Sequence, residues 1–142
     1  MPMELRPLEQ GDFNRGFLET LANLTDVGLT PEEAIHIWRG RNAAGVRTVV
    51  AVENGQVIGT ASLILEHKFL HRGGTIGHIE DVATHPAHQG KGAGSAVVRA
   101  LVELARQSGC YKVILSCKDD NIAFYSKIGF RRHDNGMRID LL

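Results

Sequence analysis

The stretch HPAHQGKGAGSAVVRALVELA, residues 85–105, sets Gly90, Gly92 and Gly94 at alternate positions directly before a run of apolar residues at helical spacing. Glycine loses more backbone freedom on folding than any other residue, so three at the start of a helix need a reason. Residues without side chains let a backbone approach a ligand closely. N–H groups at a helix start, with their partial positive charge, suit a phosphate or pyrophosphate. The segment is not a Walker A loop, and Ser95 stands where a dinucleotide fingerprint needs its last glycine. An ordinary flexible entry loop is the competing reading.

The flanking segments set this loop in context. TIGHIEDVATH (75–85) reads as a strand stopped by Pro86. The helix after the glycines runs to about Ser108, with Gly109 as its C-cap. YKVILSC (111–117) reads as a buried strand, and DDNIAFYSKIGF (119–130) as a short helix between Asn121 and Gly129. Upstream, two β-rich runs flank Asn54-Gly55, a strong hairpin signal. Thr30, Pro31 and Glu33 supply an N-cap, an N1 proline and a capping-box acid for a helix through Trp38. Phe13, Phe17, Leu21 and Leu24 predict one helix over 12–24, and MELRPL (3–8) a leading strand. The tail MRIDLL (137–142) follows the polar turn RHDNG and reads as a last strand. The resulting order is an α/β layered domain with a mixed, mostly antiparallel central sheet, flanking helices and one β-α-β crossover.

A chain of 142 residues fits a single domain, 1–142. Lys and Arg together number 16 and so do Asp and Glu, so there is no basic excess to favour nucleic acid. No stretch approaches a membrane span, and the N-terminus has neither signal-peptide nor transit-peptide character, which predicts a soluble, cytoplasmic protein. The two cysteines, Cys110 and Cys117, have neither metal spacing nor a disulfide framework. The seven histidines show no repeated ligand spacing, and no metal is expected.

Gln89-x-x-Gly92-x-Gly94 after a strand, together with NIAFYSKIGF (121–130), resembles the GNAT superfamily of acetyl-CoA-dependent N-acetyltransferases. LTDVG (24–28), EHKFLH (66–71), GHIEDV (77–82) and GCYKVILSC (109–117) narrow the likeness to its glucosamine 6-phosphate N-acetyltransferase family, over nearly the whole chain. The resemblance implies a GNAT fold and acetyl-CoA as co-substrate. Its cofactor site would use Val82 and Ala83 on the strand and Gln89, Gly90, Lys91, Gly92, Ala93 and Gly94 in the loop. Asn121, Tyr125 and Lys127 would complete it.

The implied acceptor is D-glucosamine 6-phosphate. Thr25, Lys68, Phe69, Leu70, His71 and Arg138 would contact it, with Glu80, Asp81, Ser116 and Cys117 around the amine. The implied assembly is a homodimer with shared active sites, its C-terminal strand crossing to the neighbouring subunit.

A thioester is already activated, so acetyl transfer needs no covalent nucleophile, which argues against such a role for Cys117. It does need a neutral, aimed amine and a proton for the departing thiolate. Tyr125 suits the second task, because a phenol stays protonated where a thiol ionises. Glu80 and Asp81 are adjacent acids in a strand, which predicts opposite faces, and either could bind the sugar or take the ammonium proton. The resemblance gives the amine-aiming role to the backbone carbonyl of Ser116, where family members often carry an acid. The alternatives are a GNAT enzyme for another small or peptide amine, or a non-catalytic coenzyme A-binding module.

Overall fold

The computed structural model describes residues 2–142; Met1 lies outside the described residues. Five strands form one sheet in the order β1-β2-β3-β4-β5. They are β1 (Glu4–Pro7), β2 (Arg47–Glu53), β3 (Gln56–His67), β4 (Thr75–Thr84) and β5 (Cys110–Ile114). The first four pair antiparallel, and β4 and β5 pair parallel across helix α4 (Ala93–Gln107). Helices α1 (Phe17–Ala22) and α2 (Pro31–Ala43) lie on the opposite face. A single turn, α3 (Leu70–Gly73), links β3 to β4, and α5 (Ile122–Ile128) follows β5.

Local chemistry explains most boundaries. Asn54 and Gly55 both take positive φ (51° and 76°), the geometry of a hairpin turn matched to strand twist. The Thr30 side chain accepts from the Glu33 N–H at 3.2 Å, and the Glu33 carboxylate accepts from the Thr30 N–H at 2.9 Å. Helix α2 continues five residues past Trp38, because Gly40 in its interior weakens the helix without ending it.

The single helix expected over 12–24 is two pieces, a 3-10 turn (Gln10–Asn14) and α1. Gly16 divides them. Its φ is 98°, and a Cβ there would sit 2.9 Å from the Val57 carbonyl oxygen. The chain is held that close because the Val57 N–H donates to the Arg15 carbonyl at 2.8 Å.

Two cores sandwich the sheet. On one face α4 buries Val97, Val98, Leu101 and Ala105, one helical stripe, against Ala61, Leu63 and Ile79. On the other, Phe13, Phe17 and Ala34 cover Val50, Val52 and Val57. Strand β5 is the last in the sheet and only partly buried, so the buried strand expected from its sequence becomes an open edge in the single chain. The tail strand expected at 137–142 forms no ladder there either, and Met137, Ile139 and Leu141 are exposed.

Among the charged residues Asp12 is fully buried. Its two carboxylate oxygens accept from Arg6 at 2.8 Å each, and one also accepts from the Glu9 N–H at 2.8 Å. Burial alone would raise the Asp12 pKa. The Arg6 and Glu9 bonds outweigh it and hold the carboxyl below the ordinary value. A depressed native pKa stabilises the fold above the unfolded value of about 4 and is lost as pH falls below it. Asp12→Asn is therefore expected to cost about 2 kcal/mol in urea unfolding at pH 7, since it removes charge-assisted bonds from a half-buried guanidinium that keeps only the longer contacts to Glu9 and Glu4. The loss should shrink as pH is lowered toward 3.

Candidate active site

The pairing of β4 with β5 ends at His78 and Ile114, although β4 runs on to Thr84. Over its last six residues β4 pairs with β3 alone, and the side facing β5 opens into a cleft. The helix of the crossover, α4, starts beyond the end of β4, at the open end of this split.

The glycines divide their work. Gly90 and Gly92 take φ of 82° and 83°, and a Cβ on either would meet nothing within 4 Å. They are there for conformation, not for want of space within the chain. Gly94 is there for space: its Cβ would sit 3.2 Å from Thr84 Oγ1 and 3.4 Å from Phe124 Cζ. Gly92 caps α4 with no side-chain bond, so the first-turn N–H groups of Ala93, Gly94 and Ser95 point outward without a capping partner. A 15-residue helix with that start is a ready anion seat. Lys91 is tied down, its Nζ bonding Glu53 at 2.9 Å and His88 Nδ1 at 3.0 Å. Gln89 is exposed in the loop, and Asn121 caps α5 without using its side chain. Val82 packs on the α4 core and Ala83 is buried, so what they offer the cleft is main chain. Lys127 is exposed at the end of α5.

Across the cleft stands Tyr125 of α5, packed edge-on to Phe124 at 4.9 Å and Phe130 at 5.8 Å. Burial, and then the neighbouring Cys117 sulfur, pushes its phenol above the ordinary pKa of 10. It is a proton holder throughout the neutral range and a donor to any sulfur anion placed beside it.

Glu80 and Asp81 correct the sequence expectation of opposite faces. Between the pairs Thr60–Ala83 and Ser62–Glu80, β3 has one residue and β4 has two, Asp81 and Val82. This is a β-bulge, and Asp81 takes φ 53° to make it. Ile79 lies in the α4 core, so Glu80 faces the α1–α2 side, as does its register partner Ser62. Asp81 lines a cavity on that same side, and Val82 returns to the α4 core. Both acids therefore share one face, at the lip of the cleft.

Ser116 and Cys117 lie two and three residues beyond β5, both exposed, with Ser116 Oγ 3.9 Å from where a Cβ of Gly136 would be. The remaining expected contacts are not drawn together within one chain. Lys68 is paired with Glu66 at 3.3 Å, and His71 stacks on Tyr111 with ring centres 4.1 Å apart. Phe69 and Leu70 are exposed, as is Thr25 in the loop after α1. Arg138 stands in the tail, bonded to Asp140 at 2.8 Å.

Sequence reading missed two neighbours of this site. His78 Nε2 lies 2.9 Å from Glu66 Oε1, and that carboxylate also holds Lys68. Asn23 at the end of α1 donates to the Thr84 carbonyl at 2.8 Å, tying the Thr25 loop to the end of β4. Alternation along two paired strands could have found the first; nothing local marks the second.

A helix N-terminus without side-chain caps at the open end of a split parallel strand pair, with a phenol on α5 and two acids on β4 just past the last pair, can hold a phosphorylated thioester and an amine. Comparison with known proteins agrees with that chemistry. Residues 10–130 match the family described as "Acetyltransferase (GNAT) family". The chain is 42% identical to the glucosamine 6-phosphate N-acetyltransferase of Trypanosoma brucei brucei, covering 98% of this chain and 96% of the relative. It is 40% identical to a glucosamine 6-phosphate N-acetyltransferase of Oryza sativa subsp. japonica, over 89% and 79%. Its fold superposes on the crystal structure of glucosamine-6-phosphate N-acetyltransferase from Arabidopsis thaliana with a TM-score of 0.93 at 35% identity, covering 99% of both chains. With a family match over most of its length and relatives at about 40% identity, the chain belongs to the acetyltransferase (GNAT) family.

Proposed function

We propose that the chain, as one acetyltransferase domain, moves the acetyl group of acetyl-CoA to the amine of D-glucosamine 6-phosphate by direct attack in a ternary complex. The observation that carries this is the bulge at Asp81, which turns two carboxylates of β4 to one face just past its last pair with β5, together with a phenol on α5 kept protonated by burial. The acceptor is inferred from relatives of that name at about 40% identity. Acetyl-CoA supplies an acyl carbon already activated by sulfur. The chain's residues do the rest. The first turn of α4 holds the pyrophosphate through main-chain N–H groups. Glu80 or Asp81 takes a proton from the ammonium, directly or through water, and the Ser116 carbonyl accepts from the amine and aims it. As the C–N bond forms and the C–S bond breaks, Tyr125 donates to the leaving sulfur. The free thiols Cys110 and Cys117 fit a reducing cytoplasm.

The phosphate contacts, Lys68, His71, Thr25 and Arg138, converge only if a second subunit takes part. Support comes from the open edge of β5 and from a groove of about 440 Å³ beside it, lined by Tyr111, Ile114 and Phe130 among others. The exposed tail, apolar at every residue but Arg138 and Asp140, is the strand that would cover such an edge. The homodimer so formed shares each site between a Tyr125 of one protomer and an Arg138 of the other.

Three measurements test this. Thiol release from acetyl-CoA should be at least about 100-fold less efficient in kcat/KM with glucosamine than with its 6-phosphate, because cations matched to an anion would be left unpaired. Equal efficiencies would remove the phosphate from the site.

Tyr125→Phe removes one hydroxyl and should lower kcat about 10- to 100-fold with little change in either KM. With the phenol pKa raised, the wild-type kcat should show no alkaline limb from this residue below about pH 10. An unchanged single-turnover rate in the variant would take Tyr125 out of the mechanism.

Tyr125→Phe and Arg138→Ala proteins, refolded together, should regain activity in about a quarter of sites if protomers exchange at random. Activity that stays at the level of the separate variants, with mixed dimers verified by mass, would exclude the shared site.

A further inference from the structure

The loop between β4 and α4 is fastened at both ends. At its start the His85 N–H donates to the Ile58 carbonyl on β3 at 2.8 Å, and the His85 ring accepts from the Ala87 N–H at 3.1 Å. At its end the Gly92 carbonyl accepts from the Ala96 N–H at 3.0 Å, the first bond of α4. Between these anchors Gln89, Gly90 and Lys91 make no main-chain hydrogen bond of ordinary geometry among the described residues. Gly90 and Gly92 stand on either side of Lys91 at positive φ, with open space where a Cβ would be. The main chain therefore does little to hold this stretch in the conformation that leads into the first turn of α4.

One side chain does hold it. Lys91 Nζ donates to Glu53 Oε1 at 2.9 Å and to His88 Nδ1 at 3.0 Å, the imidazole nitrogen being the acceptor because an ammonium has no lone pair. Glu53 is the last residue of β2, directly before the tight Asn54-Gly55 turn. It is the more enclosed partner, its side chain 20% exposed against 44% for Lys91, so the strand end is the anchor and the loop is the part held. The Lys91 bond also keeps the Glu53 carboxyl below its ordinary pKa, so the pair is charged through the neutral range. A pair this near the surface adds little to global stability. Its effect is local. Glycines lose the most freedom when ordered, and order already present in the free protein is not subtracted from the affinity for a ligand. A lone carboxylate would repel a pyrophosphate, but Lys91 neutralises this one. We infer that Glu53 is a positioning residue for the coenzyme: through Lys91 it fixes the glycine loop before acetyl-CoA arrives, so that its loss weakens pyrophosphate binding. The inference rests on the acetyl-CoA reading above.

Calorimetric titration with coenzyme A tests this without turnover. Glu53→Gln keeps the side-chain volume and removes the charge, and should raise the Kd about five- to tenfold. Lys91→Met breaks the same tether from the loop side and should weaken binding at least as much. In the Lys91→Met background Glu53→Gln should add less than about twofold, since both act through one contact. Thermal melts of each variant should stay close to that of the wild type. S-acetylpantetheine carries the thioester without the pyrophosphate. Its kcat/KM should therefore differ by less than about twofold between Glu53→Gln and wild type, while that of acetyl-CoA falls about five- to tenfold. A Glu53→Gln protein that binds coenzyme A as tightly as wild type, or more tightly, would overturn the inference and leave the acetyl-CoA reading intact. So would an equal loss on both donors, or an undiminished effect of Glu53→Gln in the Lys91→Met protein. A wild-type protein without affinity for coenzyme A would remove the acetyl-CoA reading together with this one.

Discussion

One extra residue in β4 governs the geometry of the whole site. A regular strand would alternate Glu80 and Asp81 between the two cores, sending one carboxylate in among Ile79, Val97 and Leu101 at a desolvation cost of several kcal/mol. The bulge removes that conflict by letting two consecutive residues face the same way. It also adds local twist, and β4 runs free of β5 from Ile79 onward, the residue after the last parallel pair. Acid placement and cleft opening are therefore two results of one backbone irregularity. Its cost is a non-glycine residue at φ 53°, on the order of 1 kcal/mol, tolerable for aspartate more than for a branched side chain.

The two sides of the sheet divide the work. On the α4 side, small residues bring the helix start close to the strands: a Cβ on Gly59 would lie 3.0 Å from the Ala93 Cβ. That closeness fixes the outward N–H groups of α4 relative to the end of β4. On the other side the packing is looser and more polar, with Arg41, Thr48 and Ser62 forming a hydroxyl-guanidinium cluster where the α4 side has hydrocarbon. A close-packed α4 side and a more polar α1–α2 side follow from these residue sizes.

Much of this was legible in the sequence because its signals are local. Asn54-Gly55, the Thr30–Glu33 box and the Gly109 and Gly129 stops each act through their own φ, cap or turn, and each stands where expected. The misses share the opposite property. Gly16 breaks a helix because of a carbonyl on Val57, 41 residues away by their numbers. The faces of Glu80 and Asp81 depend on how β3 counts against β4, which periodicity within β4 alone does not contain. The family motifs name candidate site residues, but motifs carry no information on which side chains are already engaged. Lys68 is held by Glu66, and Lys91 by Glu53.

Engagement of this kind also orders the turn between β3 and β4. The turn from Leu70 to Gly73 carries three successive left-handed residues, His71 at φ 51°, Arg72 at 58° and Gly73 at 77°. Two of the three have side chains, so the turn stores on the order of 2 kcal/mol of backbone strain. The folded chain offsets it with the Lys68 N–H to Gly74 carbonyl bond at 2.8 Å and with the stacking of His71 on Tyr111 of β5. Gly74 makes that stack possible, since a Cβ there would lie 2.7 Å from the Tyr111 ring. The strained turn is thereby clamped to the open edge strand, while the Thr25 loop is clamped to the end of β4 through Asn23. The Thr25 and His71 loops thus take their positions from the same two strands that separate past His78, and a change in that separation would be felt in both loops at once.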